Sequence, residues 1–306
     1  MREGVVNQSW LVEAGKDKYV LRRAADFRSV EEIRFEQRYL DHLKARGFPY
    51  EVPHPIATKR GTTLLNLCRD RLWLYKYIEG KTLKQLRRTD VVQVANMMAE
   101  LHDLIVSSAL DSGRGATEPF NRGPVLSEIR RFRSDLLGSG RLLREDRTFL
   151  SESQLLIPIL EALKSSEYST LEAYHLHRDI TPENLIWDGT KLVGLIDFDN
   201  VGSYREPLVK DLAVFLQHSC RAAERDAIDL PLAGALLRAY EKRRPLSGAE
   251  VAVLPDLMAS GFIEDFAYAY WMLKNDRARA KGYRLGLYAK LARWCRDNRE
   301  RVARLV

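Results

Sequence analysis

Asp179, Asn184 and Asp197 stand apart from the rest of the chain by residue type and by spacing. The first two lie in the run Tyr174-His175-Leu176-His177-Arg178-Asp179-Ile180-Thr181-Pro182-Glu183-Asn184-Leu185-Ile186-Trp187, and the third follows in Leu195-Ile196-Asp197-Phe198-Asp199. Leu185-Ile186-Trp187 reads as a buried strand, Asp188-Gly189 as a tight turn and Lys191 to Ile196 as the return strand. The hairpin so formed carries a carboxamide on one flank and a carboxylate on the other. That set suits phosphoryl transfer from a magnesium nucleotide. A carboxylate at Asp179 holds an attacking hydroxyl in line and takes its proton. Magnesium takes hard oxygen ligands and keeps several waters, so Asn184 and Asp197 suffice on the protein side. An isolated Asp and Asn beside a hairpin is ordinary turn chemistry, and Asp188 is read as that. The ordered set His-x-Asp-x4-Asn, hairpin, Ile-Asp-Phe is far more specific. His177 is given a structural role, its ring packed against the site and bonded to backbone.

These motifs resemble the aminoglycoside phosphotransferase family, with its choline-kinase, spore-coat and type II homoserine-kinase relatives, which share the protein-kinase-like fold. Thr181-Pro182-Glu183-Asn184 is similar to the family's His-Pro-Gly-Asn stretch, and Lys210-Asp211-Leu212-Ala213 matches its Asp-Leu-Ala. The family's usual His-Gly-Asp is spelled His177-Arg178-Asp179 here, nearer to protein kinases. The resemblance implies an α+β, protein-kinase-like two-lobe fold. Residues 1–79 would form a small antiparallel-sheet N-lobe plus one helix, and residues 80–306 a larger, mainly helical C-lobe with the catalytic hairpin. It also implies ATP and Mg2+ as cofactors. Gly4 and Asn7 would belong to the phosphate-covering loop, and Arg22 stands where the family has a phosphate-contacting Lys. Arg keeps a permanent charge and a fork of donors but is bulkier. Glu36 would pair with Arg22, and adenine would be read by the carbonyl of Lys76 and the amide of Ile78. Three residues precede Gly4, which leaves the first strand of such a fold short or missing.

The elements that must position these residues follow from pattern. Glu13-Ala14-Gly15-Lys16-Asp17 reads as a hairpin turn leading into the strand Lys18 to Arg22. Helical spacing runs from Ser29 through Ile33, Phe35, Tyr39, Leu40 and Leu43 and carries Glu36. Leu72 to Tyr75 reads as a strand and Lys76 to Leu83 as a hinge. Gly80 there permits a change of direction into a helix predicted from near Thr82 to Ala99-Glu100-Leu101-His102. Beyond it the chain reads as helical over 122–149, 208–220, 227–243, 248–274 and 283–306.

Composition narrows the partners. The chain has 306 residues and a net charge of +7, and its Cys68, Cys220 and Cys295 lack metal-ligand spacing, which suits a reducing cytoplasm. No segment is long and apolar enough to cross a membrane, and Met-Arg-Glu does not read as the start of a signal peptide. A small-molecule hydroxyl acceptor is expected; oligomeric state is left open. Aminoglycosides are polycations, for which a basic chain is an unexpected carrier, although Glu206, Glu264, Asp265 and Asp276 could form a local acidic patch. Gly4-x-x-Asn7 and Ala45-Arg46-Gly47-Phe48-Pro49 resemble the homoserine-kinase branch and make a small amino alcohol the alternative acceptor. Three other classes are weighed. A nucleotide-binding pseudokinase would not need Asp179, Asn184 and Asp197 together. Nucleic-acid binding by the basic C-terminal helix has charge but no recognisable motif. A protein kinase should have Phe-Gly after Asp197 and a later Ala-Pro-Glu, and neither is present.

Overall fold

The computed structural model describes residues 7–222 and 226–306. Gly4 lies outside them. The chain forms two compact units, one running to residue 115 and taking in 174–205, the other made of 116–173 and 206–306.

The first unit begins with an antiparallel sheet. β1 (Gln8–Ala14) and β2 (Asp17–Arg23) are joined by the predicted turn at Gly15, and β4 (Asp70–Lys76) lies between β2 and the short β3 (Leu65–Leu67), giving the order β1-β2-β4-β3. Val20, Trp73 and Tyr75 point to one face of this sheet and pack on Ala24 and Ile33. Ile33 belongs to α1 (Val30–Ala45), which starts where the sequence places it. The Ser29 side chain accepts from Glu32 N at 3.1 Å while Glu32 accepts from Ser29 N at 2.8 Å, a reciprocal cap that fixes the first turn.

The helix after the hinge starts later than predicted. α2 spans Arg88–Val106 rather than opening near Thr82. Lys81 is drawn into a β-bridge with Trp187, each amide donating to the other's carbonyl at 2.9 Å, and the first helical turn is instead set by Asp90, which accepts from Arg87 N at 2.8 Å. The bridge also explains Gly80. Its φ is +143°, and a Cβ there would lie 2.7 Å from the Trp187 carbonyl oxygen and 2.6 Å from Ile186 Cγ2. Trp187 sits in the hairpin β5 (Leu185–Asp188) and β6 (Lys191–Leu195), which turns through Gly189 as the sequence predicts.

The second unit is helical: α3 (Arg122–Leu137), α4 (Arg144–Ala162), α5 (Val209–Ser219), α6 (Leu230–Glu241), α7 (Gly248–Asn275), α8 (Leu285–Asp297) and α9 (Arg299–Ala303). Leu254, Leu257, Met258, Phe262, Ile263 and Phe266 of α7 are all fully buried, so this helix is the unit's central rod. Phe149 of α4 stacks on Phe266 and on Tyr270, whose hydroxyl donates to the buried Asp146 at 2.8 Å. Asp211, in the first turn of α5, is fully buried. The closing segment is two helices rather than one, because Asn298 leaves helical geometry and its side chain caps the Trp294 carbonyl at 3.0 Å. Among the described residues no helix is long and apolar enough to cross a membrane, and the three cysteines are free.

Two measurements check this account. Gly80→Ala should lower stability by about 2 kcal/mol or more, because the φ is unfavourable for an L-residue and the new methyl meets the Trp187 carbonyl as well as the Ile186 side chain. Gly189→Ala, with φ +57° but nothing within 4 Å, should cost only about 1 kcal/mol; thermal melts that rank the two the other way overturn the close-approach argument. The second test concerns Asp265 in α7. Burial, then the neighbouring Glu264, pushes its carboxyl up to about 7, and its Oδ2 has no hydrogen-bond partner among the described residues. The folded chain therefore keeps a proton that the unfolded chain has released, and stability falls as pH rises from about 4 to about 7. Asp265→Asn should melt roughly 2–6 °C higher than the native chain at about pH 8 and no higher at about pH 4.

Candidate active site

The hairpin's hydrogen bonding sets the distance between the predicted ligands. Ile196 N donates to the Asn184 carbonyl at 3.0 Å, closing the ladder one step beyond the strands, so Asn184 and Asp197 stand on adjacent flanks. Asn184 ends a single 3-10 turn begun at Pro182. Its Nδ2 donates to the Asp179 carbonyl at 2.8 Å and to Asp179 Oδ2 at 2.9 Å. That commits the amide nitrogen inward and leaves Oδ1 as the carboxamide's acceptor face.

His177 holds the other side of the loop. Its Nδ1 accepts from Asp179 N at 3.2 Å, its Nε2 is 3.0 Å from the Ile196 carbonyl, and its ring meets Phe198 edge-on at 4.6 Å. An Nδ1 that accepts requires the proton on Nε2, which then donates to Ile196. This is the structural part the sequence gives it. Arg178 has φ +62°, a left-handed backbone at the position where the resembling family has Gly. Its guanidinium stacks 3.7 Å above the Tyr204 ring and donates to the Tyr204 hydroxyl. Asp197 also has a positive φ, +69°.

Burial, then the negative charge of Asp197, pushes the Asp179 carboxyl up to about 7. Burial acts in the same direction on Asp197, but the Arg22 guanidinium 2.8 Å from its Oδ1 outweighs it and holds that carboxyl below the ordinary range. Arg22 comes from β2, opposite Trp73 on β4, whose ring lies 5.7 Å from the guanidinium carbon. It also reaches Asp199 Oδ2 at 2.9 Å with the same nitrogen. Burial opposes the charge on Arg22, yet Asp199 and Asp197 hold it protonated more firmly than usual.

Glu36 does not pair with Arg22 as the resemblance implies: among the described residues its partner is Arg28. Its Oε2 accepts from Arg28 Nη2 at 2.9 Å, and Arg28 Nη1 donates to Asp199 Oδ1 at 3.0 Å. Asn7 is turned onto the same carboxylate: its Nδ2 donates to Asp199 Oδ2 while its Oδ1 accepts from Ala25 N at 2.9 Å. Asn7, Arg22, Arg28, Asp179, Asp197 and Asp199 thus line one cavity of about 500 Å³. Lys76 and Ile78 line a different one, of about 1060 Å³, with Tyr19, Phe48 and Gly80. Tyr77 N donates to the Lys18 carbonyl, so the neighbouring pair Tyr19 and Lys76 is in non-hydrogen-bonded register and the Lys76 amide and carbonyl point away from β2. Sequence reasoning missed Arg28 altogether and gave Asp199 no role. Arg28 precedes a helix cap and belongs to no periodic pattern, so only its burial marks it.

The donor set fits magnesium. Asn184 Oδ1 and the Asp197 carboxylate are hard oxygen donors of the kind magnesium takes alongside phosphate and water. Arg178→Gly should keep turnover within about three-fold of the native chain, since glycine adopts this backbone freely. Arg178→Val should lose stability by about 1–2 kcal/mol, because a β-branched side chain resists it.

Comparison with known proteins agrees with the geometry. The model of the phosphotransferase enzyme family matches residues 1–246. A homoserine kinase of Pseudomonas aeruginosa is 29% identical over 279 residues, covering 91% of this chain and 80% of the relative. One of Rhodospirillum rubrum is 29% identical over 259 residues, covering 85% and 75%. Among solved structures, spectinomycin phosphotransferase in complex with ADP and spectinomycin superposes with a TM-score of 0.72 at 12% identity, covering 97% of this chain and 90% of that one. A microcompartment-associated aminopropanol kinase gives 0.67 at 20% identity, covering 98% and 92%. The structural likenesses establish the α+β, protein-kinase-like fold. The chain belongs to the phosphotransferase enzyme family and is an ATP-dependent kinase of small molecules.

Proposed function

We propose that this kinase transfers the terminal phosphate of ATP to the hydroxyl of a small amino alcohol of the homoserine type, with Asp179 as the group that orients and deprotonates the hydroxyl. The observation that carries the reading is the bond pair from Asn184 to Asp179. It fixes the carboxylate beside the carboxamide and leaves the other Asp179 oxygen to receive the acceptor proton. A carboxyl pushed up to about 7 is a stronger base than an ordinary aspartate, which suits removal of an alcohol proton as the oxygen bonds to phosphorus. Transfer is direct and in line, with no covalent enzyme intermediate: the acceptor oxygen bonds the phosphorus, the bond to the ADP oxygen breaks, and the proton passes to Asp179.

Asn184 Oδ1 and Asp197 would hold Mg2+, which when bound neutralises phosphate charge. Arg22 neutralises phosphate oxygens from the sheet side. In this reading residues 1–79 act as the nucleotide-binding lobe, with Asn7, the Lys76 carbonyl and the Ile78 amide among its contacts, and 80–306 as the lobe of catalysis and acceptor binding. Gly4, which lies outside the described residues, would contact phosphate in the same reading. The amino-alcohol acceptor is supported by the homoserine kinase relatives, which this chain matches over most of both lengths, and by a net charge of +7, which disfavours polycationic antibiotics. A cytoplasmic location and the absence of a nucleic-acid partner belong to the same reading.

The test is ADP release measured over homoserine, aminopropanol, choline, sugars and an aminoglycoside series. Homoserine or a close amino alcohol should give the highest kcat/KM, and a best rate on an aminoglycoside would sink the acceptor assignment. Asp179→Ala should lower kcat by about 10²–10⁴-fold while ATP affinity changes little. Tight ATP binding without turnover on any acceptor would mean that the site is not catalytic.

A further inference from the structure

We infer that Arg28 is a positioning residue for phosphate transfer: its guanidinium carries the restraint of Glu36 on α1 to Asp199, and through Asp199 to Arg22. This rests on the phosphotransferase reading of the site. The links are all short. Glu36 Oε2 takes Arg28 Nη2 at 2.9 Å, Asp199 Oδ1 takes Arg28 Nη1 at 3.0 Å, Asp199 Oδ2 takes Arg22 Nη2 at 2.9 Å, and the same Arg22 nitrogen reaches Asp197 Oδ1 at 2.8 Å. Arg28 Nη2 also lies 3.4 Å from the Asp199 backbone carbonyl.

The fork geometry is what the position requires. A guanidinium presents two terminal nitrogens in a fixed plane and can hold two carboxylates at once, whereas a lysine ammonium is a single point. Arg28 is itself held by its backbone: its amide donates to the Ala25 carbonyl at 3.0 Å, and its own carbonyl accepts from the Arg71 guanidinium. It directly precedes Ser29, the cap of α1. A shift of that helix therefore moves Arg28 at both ends, through its main chain and through Glu36. Arg28 lies in the wall of the carboxylate cavity, but it acts on the phosphate site through Asp199 and Arg22.

A purely structural alternative has Arg28 only neutralising the buried Glu36. The two differ in what an apolar replacement does, because a buried ion pair that serves stability alone is replaceable by packed hydrophobic groups. R28L/E36L removes that pair together and leaves Asp199 held by Arg22 and Asn7, so the variant should stay folded. If Arg28 positions the site, kcat of that variant nevertheless falls roughly 10- to 100-fold, and its affinity for ADP without metal, measured by calorimetry, weakens about 10-fold as Arg22 loses its fixed place. A double variant that keeps native kcat and native metal-free ADP affinity overturns the inference. Should it fail to fold, R28K decides. A single ammonium keeps Glu36 paired but releases Asp199, so R28K should stay folded and lose kcat by about 10-fold, and an R28K enzyme with native kcat overturns the inference. If the native chain shows no turnover on any acceptor, the functional proposal fails, and the metal-free ADP affinities of the same variants still judge Arg28.

Discussion

Charge burial at one point constrains the whole first unit. Arg22, Arg28 and Glu36 keep 7% or less of their side-chain surface, Asp199 keeps 13%, and only Asp197, at 39%, remains open to water. Removing an ion from water costs several kcal/mol even after relaxation, and attraction between partners offsets this only where geometry is good and the remaining donors are satisfied. None of these groups can then be placed independently. β2 brings Arg22, the loop before α1 brings Arg28, the helix brings Glu36 and the segment after β6 brings both aspartates. The sheet, the helix and the hairpin share one set of ionic contacts, and a displacement of any of them leaves a buried charge unmatched.

The same constraint runs through Arg22, which stands where the resembling family has a lysine. One nitrogen of Arg22 lies within 2.9 Å of two carboxylates on residues 197 and 199. With Glu36 taken by Arg28, Arg22 needs no direct tie to α1. Insertion of the Arg28 guanidinium lengthens the relay from helix to sheet, each of its two terminal nitrogens holding one carboxylate. Asn7 adds a neutral donor to Asp199, so the residue just ahead of β1 joins the same network although it carries no charge.

Much of this was legible in the sequence, and for physical reasons. The hairpin of β5 and β6 is specified locally, by apolar runs either side of Asp188-Gly189, and the cap of α1 by Ser29 and Glu32 three residues apart. Both signals lie within a few residues of what they control. The start of α2 was misread because it is decided by Lys81 pairing with Trp187, a contact over a hundred residues away that no local pattern announces. The Glu36 partner was misread for a related reason. The pairing with Arg22 came from the resemblance, whereas the partner that Glu36 meets is set by the path of the connection between β2 and α1, which carries Arg28. The break between α8 and α9 rests on one asparagine leaving helical geometry, against apolar spacing that continues through it.

Backbone conformation at Arg178 and Asp197 connects this network to the chemistry. Both adopt positive φ without being glycine, a conformation that costs of order 1–2 kcal/mol for an L-residue. They stand on either side of the functional group they serve: Arg178 directly before Asp179, Asp197 directly after the return flank. A local sequence preference would relax each of them. They are held instead by bonds around them: Asn184 donates to Asp179 and the Asp179 amide donates to His177 on one side, and Arg22 donates to the Asp197 carboxylate on the other. Strain of this kind persists only where the surroundings over-determine the geometry. Here the over-determination comes from the carboxamide and the guanidinium that the reading also assigns to catalysis, so loosening either would relax the backbone and move the carboxylates together.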